Sequence, residues 1–144
     1  MTYLHPPVTS HEKFRVLVVE GDAHIARPIL ASLANAGMQC RYAGDGEAAL
    51  TSFREREPHL VVIDLTTPGL NGFALCRRIR RIRNVPIIMM TGADDILSQL
   101  HALNVGADNI APKPIDCRIL VAQVSAHLRR AYHYDSPQEP SVFY

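Results

Sequence analysis

A chain of 144 residues with 47% hydrophobic content and a net charge of +1 has apolar mass for one domain with its own core. That balance excludes a bulk electrostatic case for nucleic acid or a membrane surface. No apolar stretch approaches the roughly 20 residues of a membrane span. The cysteines Cys40, Cys76 and Cys117 lack CxxC or metal spacing and read as reduced, mostly buried thiols. The N-terminus has no signal-peptide h-region, so the expected location is cytoplasmic.

Residues 1–13 are polar, contain Pro6-Pro7 and read as a flexible N-terminal tail. Phe14-Arg15-Val16-Leu17-Val18-Val19 is a β-branched apolar run, hence a buried strand, ending in Glu20-Gly21-Asp22. A helix comes next over 23–36, with Ile25, Ile29, Leu33 and Ala36 on one face and Gly37 as its C-cap. Pro28 inside it predicts a kink or a later start. Residues 39–43 form a short strand and Gly44-Asp45-Gly46 a turn. A helix over 47–56 turns Ala49, Leu50 and Phe53 inward, and Pro58 marks its end.

The run His59-Leu60-Val61-Val62-Ile63-Asp64 is a strand buried on both faces that stops at a carboxylate. Gly72 opens a helix to about residue 83, with Phe73, Leu75, Cys76, Ile79 and Ile82 inward. Its arginines, Arg77, Arg78, Arg80, Arg81 and Arg83, fall on the outer side and read as a solvated face. Residues 85–90 form a fourth strand ending at Thr91-Gly92, with Met89-Met90 as core. A helix over 94–104 closes at Val105-Gly106. Residues 109–112 make a fifth strand, succeeded by Lys113-Pro114 and a helix over 116–131. Residues 132–144 are polar and turn apolar at the end.

Five strands alternating with five helices predict an α/β fold, a five-stranded parallel sheet that is doubly wound. Such sheets bind ligands beyond the carboxyl ends of their strands. Glu20 and Asp22, Asp64, Thr91 and Lys113 all lie at those ends. Carboxylates, a hydroxyl and an ammonium together suit a divalent cation and phosphoryl chemistry. A carboxylate can accept the phosphoryl group, Mg²⁺ takes hard oxygen ligands, and lysine places a compact charge on a phosphate oxygen. No GxxxxGK[ST] or GxGxxG loop is present, and Gly44-Asp45-Gly46 is only a turn.

Val18-Val19-Glu20-Gly21-Asp22, Val62-Ile63-Asp64-Leu65 with Pro68-Gly69 and Asn71-Gly72, the run from Pro86 to Gly92, and Gly106-Ala107-Asp108 with Lys113-Pro114 occur in a telling order. They resemble the CheY-like receiver domain of bacterial two-component response regulators, over residues 14–131. The ending Ala126-His127-Leu128-Arg129-Arg130 is most similar to OmpR/PhoB-type transcription regulators. The resemblance implies that Asp64 is the phospho-acceptor and Thr91 the hydroxyl that moves with the phosphoryl group. It makes Lys113 the phosphate-binding lysine, before a proline that is often cis. Mg²⁺ would be held by Glu20, Asp64 and the backbone carbonyl of Thr66, and Gly92 would leave room for the phosphate. The implied partners are a sensor histidine kinase and, through residues 132–144 as a linker, DNA bound by a C-terminal output domain.

The chain departs from that pattern in three places. Gly21 replaces the acid that usually ligates the metal directly, which implies a weak or absent Mg²⁺ site; whether Asp22 swings back to replace it stays open. Ile110 stands at the switch position, where the family has an aromatic. The charged contacts of the expected homodimer face, residues 94–131, are mostly neutral: Gln99, Asn104, Ile119, Gln123 and Ser125 replace them, while Asp108 and Arg118 remain. A dimer there would rest on apolar residues such as Ile115 and Ile119.

Three functions are compatible with these residues. One is a receiver switched by phosphorylation of Asp64. Another is a phosphorylation-independent interaction module. The third, a hydrolase working through an aspartyl phosphate, is disfavoured because Thr66 is not a general acid, so the chain reads as a regulator and not an enzyme.

Overall fold

Continuous apolar runs and amphipathic segments of period 3.6 produce ten elements over residues 13–132, the part of the chain described by the computed structural model. They are β1 (Arg15–Val19), α1 (Ala23–Asn35), β2 (Gln39–Ala43), α2 (Gly46–Glu55), β3 (Leu60–Asp64), α3 (Gly72–Ile82), β4 (Ile87–Gly92), α4 (Ile96–Asn104), β5 (Asn109–Lys113) and α5 (Cys117–Tyr132). The sheet is parallel throughout, in the order β2-β1-β3-β4-β5. The winding direction reverses between β1 and β3, and that switch point is where ligands of such sheets bind.

The sheet separates two cores. On one face Leu17, Val19, Val61, Ile63, Ile87 and Met89 meet Phe53, Leu75 and Ile79. On the other, Val16, Val18, Val62, Ile88 and Met90 meet Ile29, Leu33, Leu120, Val124 and Leu128. β3 is buried along its whole length. Met89 and Met90 are core residues, as expected.

Helix α1 corrects two expectations. Asp22 is its N-cap, accepting from the His24 N–H at 2.8 Å, and fixes the start at Ala23. The late start that Pro28 suggested does not occur. Pro28 lies inside the helix at an exposed position, where the backbone bond it forgoes faces solvent. The inward face is Ala26, Ile29 and Leu33, while Ile25 and Ala36 point outward. At the other end Gly37, with φ +91°, closes the helix: its N–H reaches Ala34 O and that of Met38 reaches Leu33 O. Strand β4 begins after Pro86, whose missing N–H cannot join the ladder.

Arg80 is also a correction. Its guanidinium is not solvated but folds back over the end of α3. Nε and Nη2 donate to Gly106 O at 3.0 and 2.6 Å, Nη1 donates to Val85 O, and Nη2 pairs with Asp108 at 2.7 Å. Asp108 also accepts the Ile87 N–H at 2.8 Å, so one side chain ties α3 to the starts of β4 and β5. Tyr132 belongs to α5 and not to a linker. Its hydroxyl donates to His59 O at 2.6 Å, and its ring packs on His59 and Phe14. The tail 1–12 and the segment 133–144 lie outside the described residues.

Arg80→Met keeps the aliphatic stem and removes the donors, stranding two carbonyls and Asp108. Urea unfolding is expected to show a loss of about 2 kcal/mol with an unchanged m-value. A loss within about 0.5 kcal/mol, the range of an ordinary surface change, would return Arg80 to the solvated face.

Candidate functional site

The carboxyl ends of β1, β3, β4 and β5 bring Glu20, Asp64, Thr91 and Lys113 to one edge. Asp64 is 2% exposed. Its Oδ1 forms an ion pair with the Lys113 ammonium, and its Oδ2 accepts the Thr66 hydroxyl at 2.7 Å. The Asp64 carbonyl takes both the Thr67 N–H, at 3.2 Å, and the Thr67 hydroxyl. The Lys113–Pro114 peptide is cis.

Glu20, 3% exposed, sits beside this pair. Its Oε1 accepts the Asp22 N–H at 3.2 Å, and its Oε2 has no hydrogen-bond partner among the described residues. Burial holds the Glu20 carboxyl above the usual carboxylate range. The Asp22 N–H opposes this, the Asp64 charge adds to it, and Lys113 opposes it. The buried Thr91 hydroxyl is likewise without a partner among the described residues. Two orphaned oxygens thus flank a carboxylate already held by an ammonium.

Asp22 does not swing back: it is exposed and committed to capping α1. The space the missing acid would need is taken. A Cβ at Gly21 would lie 2.7 Å from Pro68 Cδ. Loop 65–71, which carries Pro68, is wedged elsewhere as well. A Cβ at Gly46 would lie 2.3 Å from Leu70 O, and Gly46 N–H donates to Pro68 O at 3.3 Å. Tyr42 fixes the β1–α1 junction by donating to Glu20 O at 2.6 Å. Neither Pro68 nor Tyr42 stood out in the sequence as a positioning residue. Beside Gly92 the space is open, with only Asp95 Cβ 3.7 Å from an added methyl.

As for Mg²⁺, Glu20, Asp64 and the Thr66 carbonyl offer two carboxylates and one neutral oxygen. That donor set fits a cation that keeps most of its water, as Mg²⁺ does, and holds it less firmly than three acids would. Among the described residues no group of three or more His, Cys, Asp or Glu is arranged for a metal.

Ile110 is half-buried and packs against the core under α3 and α4. On the α4–α5 face both remaining charges are paired within the chain, Asp108 with Arg80 and Arg118 with Asp116 at 3.0 Å. Helix α4 exposes Ile96, Leu97, Leu100 and Leu103, with Leu97 80% exposed, and α5 exposes Ile119. No helix of the described residues is long and apolar enough to cross a membrane.

A doubly wound parallel sheet with an acid, a hydroxyl and a lysine at one edge defines a receiver-type signalling domain. Residues 16–125 match the response regulator receiver domain family. The DNA-binding response regulator MtrA of Mycobacterium tuberculosis (strain ATCC 25618 / H37Rv) is 42% identical over 125 residues, covering 87% of this chain and 54% of that protein. The transcriptional regulatory protein AfsQ1 of Streptomyces coelicolor is 39% identical over 115 residues, 80% of this chain and 51% of that one. Among solved structures, a two-component response regulator from Clostridium difficile superposes with a TM-score of 0.79 at 29% identity, covering 83% of this chain and 98% of that one. The chain belongs to the response regulator receiver family, whose members are generally regulators and not enzymes. It spans about half the length of the curated relatives it matches.

The raised Glu20 pKa has a sign that can be checked in metal-free buffer. The folded protein holds that proton more tightly than the unfolded chain does. Its contribution to stability is therefore full below the ordinary carboxylate value and falls as pH rises through the raised one. Glu20→Gln is expected to remove this fall in urea titrations from about pH 4 to about pH 7, and to be the more stable protein at the upper end. Parallel pH profiles for the two proteins would contradict the assignment.

Proposed function

We propose that this domain is the signal-receiving half of a cytoplasmic transcription regulator, with Asp64 as a phospho-acceptor that is filled slowly. The observation that carries the reading is the Asp64–Lys113 ion pair at the carboxyl edge of the sheet, with the buried Thr91 at the end of the neighbouring strand β4. The donor would be a sensor histidine kinase, and the output DNA binding by a domain beyond the described residues. Residues 14–132, with Tyr132 closing α5, would be the receiver, 1–13 a tail and 133–144 the start of a linker.

Lys113 would move from the carboxylate to a phosphate oxygen, and Thr91, whose hydroxyl is uncommitted, would take another. Thr66 holds Oδ2, and its bond must be given up for that oxygen to react. Mg²⁺, held by Glu20, Asp64 and the Thr66 carbonyl, would shield phosphoryl charge. With Pro68 against Gly21, that cation has one acid fewer than the family pattern. Ile110 at the switch position would report on Thr91 through packing alone. Pairing of two receivers would use the exposed leucines of α4 with Ile119, and so be little affected by salt.

The same Gly21–Pro68 contact favours a second reading, a receiver that works without phosphate. Acetyl phosphate with Mg²⁺ and intact-mass measurement separates the two. The first reading expects one phosphoryl adduct, absent from Asp64→Ala, that accumulates about tenfold faster in Gly21→Asp/Pro68→Ala. Sedimentation of the adduct is expected to show dimers that persist at high salt and dissociate in Leu97→Glu/Leu100→Glu. No adduct in the native chain, together with unchanged gene control by Asp64→Ala in a full-length regulator, favours the second.

A further inference from the structure

The edge of the sheet opposite Asp64 holds a cavity of about 200 Å³ beneath the end of α2. It arises because α2 is short. Its last inward apolar side chain is Phe53, and beyond it on that side come Arg56 and Pro58. The register of β1 with β2 pairs Arg15 with Gln39 and Leu17 with Arg41, and Leu17 belongs to the core on the α2 side. All four therefore turn the same face toward this gap, because side chains alternate along a strand. Ser52 completes the wall from α2.

The gap is rich in basic side chains. Three guanidiniums, those of Arg15, Arg41 and Arg56, line it. Arg15 is held in place by Glu57 O, which accepts from Nε at 3.1 Å and from Nη2 at 2.9 Å. Glu55 pairs with Arg41 at 3.4 Å, and both side chains are about half exposed. Glu57 Oε2 pairs with Arg83 at 3.3 Å, and its Oε1 has no hydrogen-bond partner among the described residues. Arg56 makes no ion pair among the described residues. The Cys40 thiol in the wall adds no negative charge, since burial pushes it up to about 11. Like charges crowded into a half-enclosed space favour an anion there.

We propose that this cavity binds a small organic carboxylate with an apolar body, about the size of benzoate. A dry cavity of about 150 Å³ accommodates benzene, so this one has room for a ring and a carboxylate. The carboxylate would lie on the Arg56 and Arg41 forks, with Gln39 and Ser52 as further donors. The ring would lie against Leu17 and Pro58. The position, at the far end of the strands from Asp64, makes such a ligand a second input whose binding needs no chemistry at the acceptor.

The test is an amide-shift titration of the ¹⁵N-labelled full chain with sodium benzoate, run beside benzamide and inorganic phosphate. Benzoate is expected to give saturable shifts at Gln39, Arg41, Ser52 and Arg56 with a Kd of about 1 mM. Arg56→Gln, a change at an exposed position, is expected to weaken this about tenfold and leave shifts elsewhere unchanged. Benzamide binding as tightly would overturn the role of the charge. Phosphate binding as tightly would overturn the role of the apolar body. Absence of saturation at these residues with benzoate overturns the site.

Discussion

The ion pair between Asp64 and Lys113 is the constraint around which the domain is arranged. β3 is buried on both faces, which suits Leu60, Val61, Val62 and Ile63 but not the carboxylate that ends it. A charge taken out of water needs a counter-charge close by. Here it comes from the end of β5, with β4 between the two strands. Only a continuous parallel sheet, in register from Asp64↔Met90 to Gly92↔Lys113, places that ammonium on that oxygen. Arg80 secures the other end of the same span, holding the entries to β4 and β5 against α3.

Around the pair, the loops have settled into a geometry that suits glycine. Gly21 and Gly46 both let the Pro68 loop approach more closely than a Cβ would permit. A carboxylate at position 21 is thus not a simple addition. Restoring the carboxylate means moving Pro68, and the cost of that movement falls on the same loop that positions Thr66 and Thr67 on Asp64. A side chain at position 21 and the geometry around Asp64 are thus coupled through one proline ring.

Most of the fold was legible because it rests on periodicity. The apolar run before Asp64, the helical spacing of Ile29 and Leu33, and Gly37 as a C-cap all act through local rules that a sequence displays. Lys113 was legible from its place just after the fifth apolar run. What escaped depends on reach and on contacts between loops. Arg80 lies on the outer arc of α3, yet its stem is long enough to fold back to Gly106. Asp22 serves either as an N-cap or as a site acid, and only the position of the His24 N–H decides. Pro68 meets Gly21 from a distant part of the chain, a contact that no periodicity encodes.

The decisive measurement is a crystal structure of the chain grown at high Mg²⁺. The expected result is the Pro68 ring against Gly21, Asp22 still capping α1, and no acid other than Glu20 and Asp64 holding a cation. A metal ion held by the Asp22 carboxylate, with Pro68 displaced from Gly21, would contradict it.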